Sequence, residues 1–213
     1  MNLILMGAPG AGKGTHAREI VKKYTVPHVS TGDILRAEAA KNSELGDKAK
    51  GFMEAGKLLP DDIIIDIIKE RLKEDDCTGG YLFDGFPRTK AQAELLSTIS
   101  NVELVIYLVC SDDILIKRLT GRRNCPQCGR DYNVFFSPPQ NDKNKCDQCN
   151  VDIVQRADDN EKTIKERLQV FYNTFSPIMD YYKAQNLFVE IRGDEDRDVT
   201  LANIFRVIEK RIT

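Results

Sequence analysis

Four glycines, one lysine and one hydroxyl fall within nine consecutive positions, Gly7-Ala8-Pro9-Gly10-Ala11-Gly12-Lys13-Gly14-Thr15. Glycines at that density let successive backbone N–H groups turn toward a single anion, and a neighbouring lysine adds a full positive charge. The chemistry that suits this stretch is phosphate binding. Gly10, Ala11, Gly12 and Gly14 supply backbone amides, Lys13 reaches the outer phosphates, and Thr15 offers a hydroxyl near a magnesium ion. The common spacing G-x-x-x-x-G-K-[ST] would put that hydroxyl one place earlier, where Gly14 stands. The expected ligand is a nucleoside triphosphate.

A second group of residues could act on the phosphates so held. Asp84 ends an apolar run and leads into Gly85-Phe86-Pro87-Arg88. A carboxylate there is placed to hold magnesium, usually through water, and Arg88 stands at the carboxyl end of a sheet, where open α/β folds bind ligands. Ser30-Thr31-Gly32-Asp33 reads as a capping box, and Arg36, one turn on, could project toward the same pocket as Thr31. Thr89 and Gln92 read as another box, with the alternative that the Gln92 amide recognises a nucleobase edge. Arginines recur at 118, 122, 123, 156 and 167, with Arg118 and Arg122 spaced i, i+4 as on one helix face. Planar guanidinium forks match the negative charge spread over a phosphoryl group in transit. Asp158 and Asp159 most simply start the next helix, Glu161 completing a box after Asp158; an ion pair with the arginines is the alternative.

Metal chemistry comes from four of the six cysteines, which form two C-x-x-C pairs, Cys125/Cys128 and Cys146/Cys149. The seventeen residues between the pairs fit a zinc ribbon. Four thiolates fill a tetrahedral shell and leave no position for water, so the expected role is structural. Cys77 and Cys110 stand apart, Cys110 as a small buried hydrophobe, and His16 and His28 are too far apart in sequence to suggest a ligand pair.

The elements that must position these residues show in the apolar pattern. Strand-like runs lie at 2–6, 81–84, 103–109 and 187–191, with a shorter one at Pro27-His28-Val29. Helical patterns occupy about 13–24, 61–73, 89–99, 112–121, 160–184 and 197–211. Alternating strands and helices give an α/β fold, a mainly parallel sheet covered on both faces. Ile164, Leu168, Phe171, Phe175, Ile178 and Tyr182 form a core stripe, and Pro177 is expected to bend or break that helix. Two segments interrupt the alternation. Residues 30–59 carry two helical patterns, about 31–41 and 44–55. Residues 122–157 hold the four cysteines and few apolar side chains, so they need a staple.

Composition sets the limits. A 213-residue chain with 41% hydrophobic residues supplies one core with insertions. Net charge −2 argues against general nucleic-acid binding. The absence of a basic leader, of eighteen consecutive apolar residues and of secretory cysteine usage leads us to expect a soluble cytoplasmic protein with no membrane partner.

Taken together, Gly7–Thr15 with its Gly-Lys-Gly-Thr ending, Ser30–Asp33 with Arg36, Asp84–Arg88 with Gln92, Gly121-Arg122-Arg123, and Arg156-Ala157-Asp158-Asp159 resemble the adenylate kinase family over essentially the whole chain, in its long form with a metal-binding lid. The resemblance implies the P-loop nucleoside monophosphate kinase fold, with a core of 1–29, 60–121 and 160–213, an AMP-binding segment at 30–59 and a lid at about 122–159. It implies ATP–AMP phosphotransfer giving two ADP, with Mg2+ and structural Zn2+, in a monomer. It assigns AMP to Thr31, Arg36, the Lys57-Leu58-Leu59 backbone, Gly85, Phe86, Pro87, Arg88 and Gln92. ATP and the transferring phosphates go to Gly10–Thr15, Arg118, Arg122, Arg156 and Arg167, with Arg156 and Arg167 also near AMP. Asp131 and Tyr132 would lie near ATP, and the backbone around Glu195 near its adenine. Where some relatives end the metal set with an aspartate, this chain has Cys149. The competing readings are a kinase for another nucleoside monophosphate, a zinc-ribbon nucleic-acid-dependent ATPase, and a nucleotide-binding regulator. The arginine set would be superfluous for the last.

Overall fold

The computed structural model describes residues 1–41 and 43–212. The chain runs β1 (Asn2–Gly7), α1 (Lys13–Tyr24), β2 (His28–Ser30), α2 (Thr31–Ala39), α3 (Glu44–Glu54) and α4 (Asp61–Leu72). It continues through β3 (Tyr81–Asp84), α5 (Lys90–Ile99), β4 (Leu104–Val109) and α6 (Asp112–Thr120). A small hairpin, β5 (Arg122–Asn124) and β6 (Asp131–Asn133), precedes the long α7 (Glu161–Ala184), β7 (Phe188–Arg192) and α8 (Arg197–Ile212). The five longer-range strands form one parallel sheet in the order β2-β3-β1-β4-β7, as the alternation of strand and helix patterns predicts.

Strand alternation explains why these runs are apolar throughout. In β1, Ile4 packs on one face with Phe83, Val105 and Ile178, whereas Leu3 and Leu5 pack on the other with Ile20, Leu115 and Ile204. Both faces are covered, so no position of β1 between Leu3 and Met6 is free to be polar. Fully burying one such side chain contributes about 1.5–3 kcal/mol, and Ile4→Ala would cost roughly 2–5 kcal/mol because the cavity cannot fully collapse.

Helix starts follow local side-chain chemistry. Ser30 Oγ accepts from Asp33 N–H at 3.2 Å, Ser43 Oγ from Gly46 N–H at 3.0 Å and Thr89 Oγ1 from Gln92 N–H at 3.1 Å. Three expectations need correction. The helix after the cysteine segment is capped by Asn160, whose Oδ1 accepts from Thr163 N–H at 2.9 Å, and not by Asp158, whose carboxylate is held by Arg167. Arg122 does not share a helix face with Arg118. The helix α6 stops at Thr120 and Arg122 begins β5. Gly121 makes the switch possible, since a Cβ there would lie 2.5 Å from Phe135 and 2.6 Å from Asn133 Oδ1 as the hairpin folds onto the helix end. Finally, of the bend or break expected at Pro177 the break does not occur, since α7 runs continuously past it. Leu168 before it and Ile178 and Tyr182 after it are all buried, so core packing holds both halves in one helix.

Among the described residues, no helix is long and apolar enough to cross a membrane.

Candidate active site

The glycine loop sits at the carboxyl end of β1, between that strand and α1. Gly10 has φ +88°, and a Cβ there would lie 2.8 Å from the Leu115 carbonyl oxygen, so only glycine fits. Lys13 opens α1 and folds back, its Nζ donating to Gly7 O at 2.8 Å and Ala8 O at 3.1 Å. Burial lowers its ammonium to a pKa of about 8. Asp84 opposes that shift, and the positive charges of Arg88, Arg167 and Arg122 add to it. Asp84 ends β3 beside Gly14, where a Cβ would come within 3.7 Å of Asp84 Oδ2. Burial would raise the Asp84 carboxyl, but the hydrogen bond with His28, together with the Lys13 charge, holds it below the ordinary carboxylate value. His28 Nε2 lies 3.3 Å from Asp84 Oδ2.

On the β2 side a cavity of about 80 Å³ is lined by Thr31, Arg36, Lys57, Leu58, Leu59, Gly85, Arg88 and Gln92, among others. Thr31 Oγ1 donates to Gly85 O at 2.8 Å, which ties the ends of β2 and β3 together. Arg36 pairs with Asp33. Arg88 Nε donates to Gly85 O at 2.6 Å, and burial lowers its pKa. Gln92 uses both ends of its amide: Oε1 accepts from Arg88 N–H at 2.7 Å, and Nε2 donates to Asp61 Oδ1 at 2.6 Å. Phe86 packs its ring 5.3 Å from Phe83 in the core, and both Phe86 and Pro87 line an adjoining cavity.

The arginines beyond the sheet are sorted by carboxylates. Arg122 Nε and Nη2 grip Asp159 at 2.7 and 2.5 Å, and Arg167 Nη1 meets Asp158 at 2.7 Å and Asp159 at 3.4 Å. Arg156 Nη2 meets Asp131 at 3.1 Å, while its buried Nε has no partner. Burial works against the Arg122 charge, but the Asp159 hydrogen bonds outweigh it and raise its pKa. Burial lowers Arg156 and Arg167. Arg118 Nη1 donates to Gly193 O at 2.8 Å and lies 3.4 Å from Ala11 O, which brings the 193–196 loop beside the glycine loop. The Glu195 side chain is exposed. Arg123 is engaged by the carbonyls of Arg122 and Thr120. Lys13 and Arg88 are different: among the described residues, neither has a carboxylate partner within 4 Å. Cations that line the cleft with no carboxylate in direct contact, Asp84 acting on both only through space, are a site for anions.

The cysteine segment folds around its sulfurs. The four Sγ atoms lie within 4.8 Å of one another, and Cys128 Sγ is 3.7 Å from Cys146 Sγ. Tetrahedral zinc with sulfur at about 2.3 Å requires an S–S edge of roughly 3.8 Å, so the set fits such an ion. The two pairs are built alike. Gly129 N–H bonds back to Cys125 O at 3.0 Å and Asn150 N–H to Cys146 O at 2.9 Å, both residues having left-handed φ. Tyr132 belongs here and not at the cleft: its ring is buried against Cys125 and Cys146, and its hydroxyl donates to Cys146 Sγ at 3.3 Å.

Comparison with known proteins follows from this geometry. The family model described as adenylate kinase matches residues 5–187. The chain belongs to the adenylate kinase family. It is 47% identical to an adenylate kinase of Nitrosococcus oceani, with 98% of this chain and 99% of that protein aligned. It is 44% identical to one of Oceanobacillus iheyensis (99% and 100% aligned) and 43% identical to one of Archaeoglobus fulgidus (99% of each). The adenylate kinase resemblance read from the motifs therefore holds, as does the α/β phosphate-loop fold.

Several residues at this site were silent in the sequence. Asp61, at the start of α4, holds Gln92 Nε2 and accepts from Thr89 Oγ1 at 3.0 Å. Arg18 on α1 donates to Gly129 O and Asp131 Oδ2, both at 2.9 Å, so Asp131 joins two arginines. Phe136 sets a half-exposed ring 6.0 Å from the Arg118 guanidinium, a surface on which a planar base could stack. Only Phe136 left a signal, as part of the apolar run Val134-Phe135-Phe136 inside a polar segment.

Proposed function

We propose that this protein catalyses reversible phosphoryl transfer from MgATP to AMP, giving two ADP. The observation that carries the reading is the pair of cations lining the cleft, Lys13 and Arg88, neither of which has a carboxylate within 4 Å among the described residues. An oxygen of the AMP phosphate attacks the γ-phosphorus of ATP. A new P–O bond forms as the bond from that phosphorus to the β–γ bridging oxygen breaks, and ADP leaves with the electron pair. Lys13 and the loop amides hold the donor, whereas Arg36 and Arg88 align the acceptor in the cavity lined by Thr31, Lys57, Leu58, Leu59 and Gln92. Arg118, Arg122, Arg156 and Arg167 supply guanidinium protons to the charge in transit. Asp84 would hold the Mg2+ that accompanies ATP, an ion that would supply charge neutralisation on the phosphates.

In this reading residues 30–59 are the acceptor segment and 122–159 a lid that closes to exclude water, since exposed ATP would be hydrolysed. Zn2+ on Cys125, Cys128, Cys146 and Cys149 takes the place of a hydrophobic core in that lid. The test is ADP formation from MgATP with AMP, GMP, CMP or UMP offered separately. Rapid turnover with AMP alone is expected. Preference for another monophosphate would change the acceptor, and ATP loss without any acceptor dependence would overturn the kinase reading.

A further inference from the structure

A cavity of about 110 Å³ adjoins the reaction centre, sharing Leu58, Gly85 and Arg88 with the acceptor position proposed above and extending from there to residues that position does not use. Its wall is one face of α7. Val170, Phe171, Thr174 and Ile178 follow each other at helical spacing, and Arg167 stands one turn before them at the mouth. Met6 and Pro9 close the opposite side, and Lys13 and Arg88 join Arg167 at the charged end. The two ends differ sharply in chemistry. The apolar end offers almost nothing to hydrogen-bond, since the Thr174 hydroxyl is already engaged by Val170 O at 3.0 Å. The charged end holds three cations, two of them without a carboxylate partner among the described residues.

We propose that this cavity is a binding site for small aromatic phosphates, with the phosphate on Lys13, Arg88 and Arg167 and the ring against α7. Size, shape and charge each select that class. Apolar cavities of about 150 Å³ hold a benzene ring; this one, about 110 Å³, is smaller, so the ring would fill it and leave the phosphate at the charged mouth. Phe171 and Phe175 stack with centroids 4.9 Å apart, presenting aromatic surface to a ring. A nucleobase is disfavoured because its polar edge would be buried without partners. A ligand so placed occupies the phosphate positions of both nucleotides and inhibits competitively against each. That inhibition rests on the kinase reading; the binding itself does not.

The experiment is calorimetric titration of the full-length protein with phenyl phosphate and with methyl phosphate. The same pair is measured on Thr174→Phe and Val170→Phe, which fill the cavity from residues outside the phosphate-contacting set. Phenyl phosphate is expected to bind at least about tenfold tighter than methyl phosphate, the scale of burying one ring. The ratio should fall to about one in a filled variant whose methyl phosphate affinity and cooperative melting are unchanged. Equal affinities in the unmodified protein would overturn the proposal, as would a ratio that survives in both filled variants, because the ring would then sit elsewhere. If the tenfold ratio holds while the acceptor assay fails, the kinase reading falls and the cavity stands.

Discussion

Lys13 provides a direct test of the electrostatics. Its ammonium is held at a pKa of about 8 by burial and by the positive charges of Arg88, Arg167 and Arg122. Phosphate oxygens favour the charged form, so nucleotide binding should raise that pKa and draw in a proton. With a starting value of about 8, roughly three-quarters of Lys13 is charged at pH 7.5 and about a tenth at pH 9. ADP affinity should therefore weaken about eightfold across that interval, roughly 1.2 kcal/mol. At pH 8 binding should take up about half a proton, measured by calorimetry in two buffers of different ionisation enthalpy. Arginine stays charged throughout, so Lys13→Arg should show less than about a twofold change over the same range and almost no proton uptake. Ionic strength is held constant so that screening does not mimic the effect. A flat profile in the unmodified protein, or the same eightfold slope in Lys13→Arg, would refute the reasoning. The sign for stability is the reverse. The folded value lies below the ordinary 10.5, so unfolding takes up protons between about pH 8 and 10.5, and stability from this group rises with pH in that window.

Chelating the metal, verified by elemental analysis, should speed hydrogen exchange in residues 122–154 while the sheet keeps its protection; uniform exchange before and after would count against a structural ion. Asp61→Ala removes the acceptor for the buried Gln92 amide and should cost about 2 kcal/mol, seen as a fall of roughly 4–8 °C in Tm by calorimetry. Asp131→Asn weakens the ties to Arg18 and Arg156, and the partly exposed geometry limits the effect to about two- to fivefold in the KM for ATP. An unchanged KM and unchanged exchange at Gly129 would show that these pairs do not hold the lid. Arg88→Ala should lower kcat by more than about a hundredfold with Tm nearly unchanged. Arg122→Ala should lower both, since it leaves the fully buried Asp159 carboxylate with only the longer Arg167 contact at 3.4 Å, at a cost of up to about 3–5 kcal/mol. Near-normal turnover in Arg88→Ala would sink its assigned role.

What the sequence revealed and what it hid divide along contact distance. The strands were legible because burial on both faces leaves an unbroken apolar run, as at Leu104–Val109, and the helix starts because Ser30 and Thr89 act on the backbone three residues away. The glycine loop and the cysteine quartet are also local, each written as spacing. By contrast, Asp61 reaches Gln92 across 31 positions, His28 meets Asp84 across 56, and Arg18 meets Asp131 across 113. No periodicity encodes those meetings. Arg122 was misplaced for a related reason. Counting i, i+4 from Arg118 assumes a continuing helix, and the close approach of Phe135 and Asn133 to Gly121 is a tertiary fact that ends it.

The division of the cations bears on how the site works. Arg122, Arg156 and Arg167 each carry a carboxylate from the segment that joins the lid to α7 or from the lid itself, so their charge is largely neutralised within the protein. A guanidinium has five N–H donors, however, and Arg122 uses only Nε and Nη2 on Asp159 while the Arg156 Nε remains unpartnered. These arginines can therefore donate hydrogen bonds to phosphate oxygens without releasing their carboxylates, and their positions stay fixed by the ion pairs. Lys13, at the start of α1, and Arg88, in the loop between β3 and α5, have no carboxylate within 4 Å among the described residues, and only Asp84 offsets them through space. Attraction and geometry are thus supplied by different residues. In the proposed reaction attraction belongs to the segments that follow β1 and β3, and geometry to the arginines held by carboxylates between Asp131 and Asp159.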